Sequence, residues 1–201
     1  MKGSRREKLE YFWMYYKIPF LAVVAFLVIA IYFVSAAVTE KENGFSAILF
    51  DIHTDAEQSG LEEEYADYAD IDTKKYEVLI NTSLLLDDTS STNYKISSIS
   101  KFYSLIGTED LDVCMMTEAD FEKYEKEGTY LDLSTCMTKE ELSKFPELYE
   151  QDGKVLGIYG NELSKIKEIS GYPDGEKAIV GIVYNSKHVE RSISFLEYLN
   201  Q

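Results

Sequence analysis

Proline and glycine are scarce in this chain: three and eleven in 201 residues leave no scope for a long flexible linker. Histidine and cysteine are scarcer still, at two each, and there is no G-x-S-x-G, H-E-x-x-H or phosphate-cradling glycine loop. Without an assembled nucleophile, base or metal set, the sequence argues against an enzyme and calls for no cofactor. Basic residues are missing where a nucleic acid would need them. Residues 1–17 hold Lys2, Arg5, Arg6, Lys8 and Lys17 against Glu7 and Glu10, a balance of +3, which leaves −19 for the remainder of a chain of net charge −16. Such a surface repels phosphate backbones, so nucleic acid is excluded as a partner. Bulk for a core, by contrast, is plentiful. The chain is 45% apolar and 28% charged, with 16 Tyr and 10 Phe, a globular composition that folds without a metal.

A long run without charge spans Ile18 to Val38 (IPFLAVVAFLVIAIYFVSAAV). As a helix it is about 31 Å long at 1.5 Å per residue, close to the hydrocarbon thickness of a bilayer. Tyr11, Phe12, Trp13, Tyr15 and Tyr16 precede it, and Tyr32 and Phe33 lie near its far end, like the rings that gather at headgroups. Five basic residues come before it and only Lys41 soon after. That bias predicts a single-pass anchor in the cell membrane, with the N-terminus cytoplasmic and the C-terminal domain extracellular. Ser35-Ala36-Ala37 offers small residues for a signal-peptide cut, yet the run exceeds the roughly 7–15 residues of a signal-peptide core. No cysteine follows closely, which excludes a lipid-modified one. Pro19 predicts a kink or a restart of the helix. The expected division is a cytoplasmic juxtamembrane segment at 1–17, a transmembrane helix in contact with the lipid bilayer at 18–38, a linker at 39–46 and an extracytoplasmic domain at 47–201.

Within that domain, short apolar runs alternate with helical patterns. Strands are predicted at Ala47–Ile52, Tyr76–Asn81, Asp112–Met116, Lys154–Tyr159 and Ala178–Tyr184. The acidic stretch Ala56–Asp70 places Leu61, Tyr65 and Tyr68 at helical spacing, and Tyr94–Ile106 and Val189–Leu199 read as further helices. Thr117, followed by Glu118 and Asp120, is an N-cap with acids in the first turn, and Gly128 ends that helix region. Thr138-x-x-Glu141 is a capping box. The alternation predicts an α/β domain, a mostly parallel sheet covered by helices, preceded by the single transmembrane helix.

Few side chains assemble into chemistry. Asp51-x-His53-x-Asp55 puts three ligand types on one strand face, in principle a metal set, but lacks a fourth ligand and reads as the polar end of a strand; no metal site is predicted. His188, after Asn185-Ser186-Lys187, reads as a solvated cap. Cys114 and Cys136 are candidates for a disulfide in an oxidising space, although Cys114 in an apolar strand also suits a small core residue. Asn81-Thr82-Ser83 is a formal glycosylation acceptor.

Three segments carry a resemblance: Gly107-Thr108-Glu109-Asp110-Leu111-Asp112-Val113 with Phe121-x-x-Tyr124-x-x-x-Gly128 and Leu131-Asp132-Leu133; Gly153-Lys154-Val155-Leu156-Gly157-Ile158; and Ala178–Leu199 with Asn185-Ser186-Lys187 and Phe195-Leu196-x-Tyr198-Leu199. In this order they resemble the extracellular solute-binding proteins of ABC transporters, of the type 2 periplasmic-binding kind. Ala178–Leu199 is similar to the strand and helix by which such a chain returns to its first lobe. The N-terminal aromatics and anchor look like those of small clostridial membrane proteins. Only about twenty residues separate Gly157 from Ala178, and a domain needs roughly 50 to bury a core. The resemblance therefore implies about one periplasmic-binding-like lobe, without the two-lobed clamshell. Open α/β sheets bind outside the carboxyl ends of their strands, which nominates Thr82, Ser83, Thr117 and Glu118 as ligand-binding residues; the same residues also serve as ordinary caps and turns. The expected function is a membrane-anchored binding or interaction module for a protein or small-molecule partner, with a ligand-free accessory subunit of a membrane complex as the alternative.

Overall fold

A computed structural model describes residues 5–39, 41–52, 58–88, 90–169 and 175–201; His53 and Asp55 lie outside them. The chain divides into two compact units, Met1–Lys41 and Glu42–Gln201. The first contains the helix α1 (Arg5–Thr39), 35 residues long with Pro19 inside it. The expected restart at Pro19 is absent: the helix runs through it. Its stretch Trp13–Ile31 is long and apolar enough to cross a membrane, and none of that stretch is buried against the chain.

The second unit is a six-stranded sheet between two layers of helices. Its elements are β1 (Glu42–Leu49), α2 (Gln58–Tyr68), β2 (Tyr76–Asn81), α3 (Thr92–Gly107), β3 (Val113–Thr117), α4 (Glu118–Glu125), α5 (Lys139–Leu142), β4 (Leu148–Gln151), β5 (Lys154–Tyr159), α6 (Ser164–Ile169), β6 (Ala178–Ile182) and α7 (Val189–Leu199). The strand order is β2-β1-β3-β6-β5-β4. The first three strands are parallel, while β6 is antiparallel to both β3 and β5, and β4 is antiparallel to β5. The sheet is therefore mixed, which corrects the expectation of a mostly parallel one. The cause is local at one end: Asp152 and Gly153, both at positive φ (51° and 78°), form a two-residue turn that joins β4 to β5 as a hairpin. At the other, β6 inserts between β3 and β5, antiparallel to both.

Strand β1 begins at Glu42, so half of the stretch expected as a linker at 39–46 is already paired with β2. The register slips once, between Asn43 and Phe45, where Gly44 lies so close to Tyr76 that a Cβ there would be 2.7 Å from the tyrosine's own.

Period-two alternation sends side chains to both faces, and both are buried. Phe45, Ala47 and Leu49 of β1, with Val113 and Met115 of β3, join Tyr65 of α2 and Phe195, Leu196 and Leu199 of α7. Ile48, Cys114, Met116 and Ile179 face the other way, onto Phe102 of α3 and Phe121 and Tyr124 of α4. Helices α2 and α3 thus cover opposite faces, as right-handed crossovers require when the chain steps from β1 to β2 in one direction and then to β3 in the other.

Candidate functional site

That reversal makes a topological switch point between the carboxyl ends of β1 and β3, the place where open α/β sheets hold ligands. The four residues nominated from sequence surround it without converging on one spot. Thr82 follows β2 and is buried. Ser83 is exposed, and both its amide and its hydroxyl donate to Asn81 Oδ1 at 3.0 Å, a local turn. Thr117 caps α4: its Oγ1 accepts from the Asp120 amide at 3.2 Å and lies 3.2 Å from Asp120 Oδ2. Glu118 donates its amide to Lys177 O at 2.8 Å and accepts the Tyr159 hydroxyl on Oε1 at 2.6 Å. Two of the α4 amides that an anion would seek are thus already used by the chain, and the first turn is acidic.

Between the two nominated pairs stands a residue that sequence reasoning had left as a strand end. Asp51, two residues past β1, is 0% exposed and takes a left-handed φ of 60°, a conformation that aspartate tolerates better than most side chains. Its Oδ1 accepts the amides of Leu86 at 2.6 Å and Asp87 at 3.0 Å, holding the loop after β2 against the end of β1. Its Oδ2 is buried with no hydrogen-bond partner among the described residues. Burial pushes the Asp51 carboxyl above its ordinary value of 3.8, the two amides pull it back, and the Asp87 and Asp120 carboxylates push it further up. The signal in the sequence was an aspartate closing an apolar run.

A raised acid holds its proton more tightly in the folded chain than in the unfolded one. It therefore weakens the fold as pH climbs from 3.8 through the folded pKa. Asp51→Asn removes that loss, so the variant is expected to gain on the parent across that window and to keep that relative gain above it. Urea denaturation at stepped pH measures this, and a pH-independent difference would contradict it.

The cysteines do not pair. Both are free thiols, and they face opposite sides of the sheet, Cys114 toward α3 and α4 and Cys136 against the other cluster. Burial pushes the Cys114 thiol up to about 12, which leaves it inert as a nucleophile at neutral pH.

His188 does hold the N-cap position of α7, as its neighbours suggested, but its ring makes no capping hydrogen bond and is not simply solvated. Its Nδ1 lies 3.2 Å from both carboxylate oxygens of Asp112, which is 1% exposed. Asp112 Oδ1 also accepts the Ser186 hydroxyl at 2.6 Å, and Oδ2 the Ser46 amide at 2.9 Å. The imidazole lines an open groove of about 570 Å³ at the amino-terminal edge of the sheet, with Asn43, Tyr76, Lys187, Glu190 and Arg191. The cations of this groove are already engaged. Lys187 pairs with Glu109 at 3.2 Å, and Arg191 donates to Gly44 O at 2.6 Å and covers the Tyr76 ring. Through Asp112 the His188 ring ties the start of α7 to Ser46 of β1 and to Ser186 after β6, a staple between strands and helix.

No family model, curated protein or solved structure matches the chain.

Proposed function

We propose that this chain is a membrane-anchored, extracytoplasmic binding module resembling one lobe of a solute-binding protein. Helix α1 tethers it, the acidic domain is displayed outside the cell, and the carboxyl edge of β2-β1-β3 receives a small ligand. The observation that carries this reading is the layout of that edge: three parallel strands end there, with Thr82, Asp51 and Thr117 at or just past their ends on either side of a topological switch point. The return of β6 between β3 and β5 is in keeping with the returning strand that the resemblance assigns to Ala178–Leu199.

A thermal-shift screen of the full chain in lipid nanodiscs against sugars, peptides, amino acids and amines tests it. At a concentration about a hundredfold above its Kd, a ligand is expected to stabilise the fold by about 2.7 kcal/mol. No shift with any solute class would sink the ligand reading. A reporter fused after Gln201 is expected to be active only outside the cytoplasm, and activity confined to the cytoplasm would reverse the orientation.

One feature favours the accessory-subunit alternative. Helix α3 has no acidic residue and exposes Tyr94, Ile96 and Tyr103, side chains suited to a protein neighbour.

A further inference from the structure

The carboxyl edge has a definite electrostatic character. Asp87 stands on the loop after β2, Asp120 in the first turn of α4, and both raise the proton affinity of Asp51 between them. Glu118 adds a fourth carboxylate beside β3. A helix start is usually a place for anions, but the Glu118 amide is spent on Lys177 O and the Asp120 amide on Thr117 Oγ1. The edge is therefore unsuited to an anion.

Asp51 supplies the second, independent feature. Its side chain is fully buried, Oδ1 is committed to the Leu86 and Asp87 amides, and Oδ2 has no donor among the described residues. A buried carboxylate oxygen without a donor is costly, and native structures seldom leave one unexplained. An N–H donor carrying positive charge answers both the unpartnered oxygen and the surrounding acids. A metal ion suits the place less well: no group of three His, Cys, Asp or Glu able to hold one occurs among the described residues.

We propose that Asp51 anchors a site for an organic cation at the switch point between β1 and β3. A primary ammonium or guanidinium group donates to Asp51 Oδ2 and enters past the half-buried Thr117 and Asp120, with Asp87 and Asp120 balancing its charge. This rests on the binding reading above and narrows its ligand to amine-bearing solutes. The −19 charge of the chain beyond residue 17 raises their local concentration.

The test uses the full chain in zwitterionic nanodiscs, with benzylamine and agmatine as probes and benzyl alcohol as the uncharged control. At about tenfold above its Kd, an amine is expected to raise Tm by about 3–5 °C, with no effect of benzyl alcohol. Asp51→Asn, which keeps an oxygen for the Leu86 and Asp87 amides, should lose that shift. An equal shift in Asp51→Asn would mark non-specific screening and overturn the proposal. In the parent chain, carboxyl-carbon NMR of Asp51 should show its pKa falling when amine is added, a readout that survives if the variant fails to fold; an unmoved pKa overturns the proposal too. Stabilisation by sugars or peptides but by neither amine would reject the cation class and leave the binding reading standing. No stabilisation by any solute would remove both.

Discussion

Replacing Asp112 with alanine is expected to destabilise the folded domain by about 3 kcal/mol, the upper end of the range for leaving a buried hydrogen-bonding group without its partner. The carboxylate is 1% exposed and gathers donors from three places. Ser46 of β1 gives its amide, Ser186 its hydroxyl from the turn after β6, and His188 its Nδ1 from the start of α7. The backbone of Asp112 also donates to Ser46 O at 2.9 Å and accepts from Val183 at 2.9 Å. One residue therefore joins the middle of β1 to the start of β3, the end of β6 and the start of α7.

Truncation does not fall equally on these groups. Ser186 Oγ has a second neighbour in Ser192 Oγ at 3.3 Å, and the His188 ring, 23% exposed, regains water. The Ser46 amide is buried and has neither recourse, so its orphaning dominates the cost. Asp112→Asn keeps an oxygen for Ser46 and is expected to lose only about 1–2 kcal/mol, and His188→Ala a similar amount. Urea denaturation of the full chain in nanodiscs, followed by far-UV circular dichroism, measures all three. If Asp112→Ala falls within 1 kcal/mol of the parent, the staple does not hold this edge, and the His188 groove would need another explanation.

The two edges differ in how far they could be read from sequence, and the reason is physical. Thr117 with Glu118 and Asp120, and Thr138 with Glu141, announce helix starts because capping is local, and both caps form as expected. Strand positions in β2, β5 and β6 follow from short apolar runs. Strand direction does not, because periodicity two is the same in parallel and antiparallel neighbours. The Asp152-Gly153 turn was the one local cue that β4 and β5 form a hairpin. Asp112 and His188 are 76 residues apart, and only the pairing of β3 with β6 brings them together. Asp51 was visible as a polar residue closing an apolar run. Its burial, its left-handed backbone and its lone Oδ2 depend on where the loop after β2 packs, which no local pattern states.

Phe121→Ala is expected to be the most damaging core truncation, at the upper end of the roughly 3–5 kcal/mol range for removing a buried phenylalanine. The ring lies against two glycines in neighbouring strands. A Cβ on Gly157 of β5 would stand 3.1 Å from Phe121 Cζ, and one on Gly181 of β6 would stand 2.9 Å from Phe121 Cε2. Strands β5 and β6 pair Ile158 with Val180 and Tyr159 with Ile179, and that register, extended by one residue, sets Gly157 opposite Gly181. The two glycines thus form a window in the sheet that the phenyl ring fills. Tyr130 stacks on Phe121 with centroids 3.7 Å apart and planes 3° from parallel. With no side chains on the glycines to relax inward, the cavity left by alanine stays open. The converse change should also be felt. Gly157→Ala puts a methyl 2.6 Å from Ile179 Cγ2 and 2.8 Å from the Val180 carbonyl, and backbone cannot yield as a side chain does, so a loss of about 1–3 kcal/mol is expected. Phe121→Leu, which keeps part of the volume, should fall between parent and Phe121→Ala. Equilibrium denaturation of these variants decides the matter: a Phe121→Ala chain within 1 kcal/mol of the parent would show that the ring does not fill the window, and a Gly157→Ala chain as stable as the parent that the paired strands have room for a methyl.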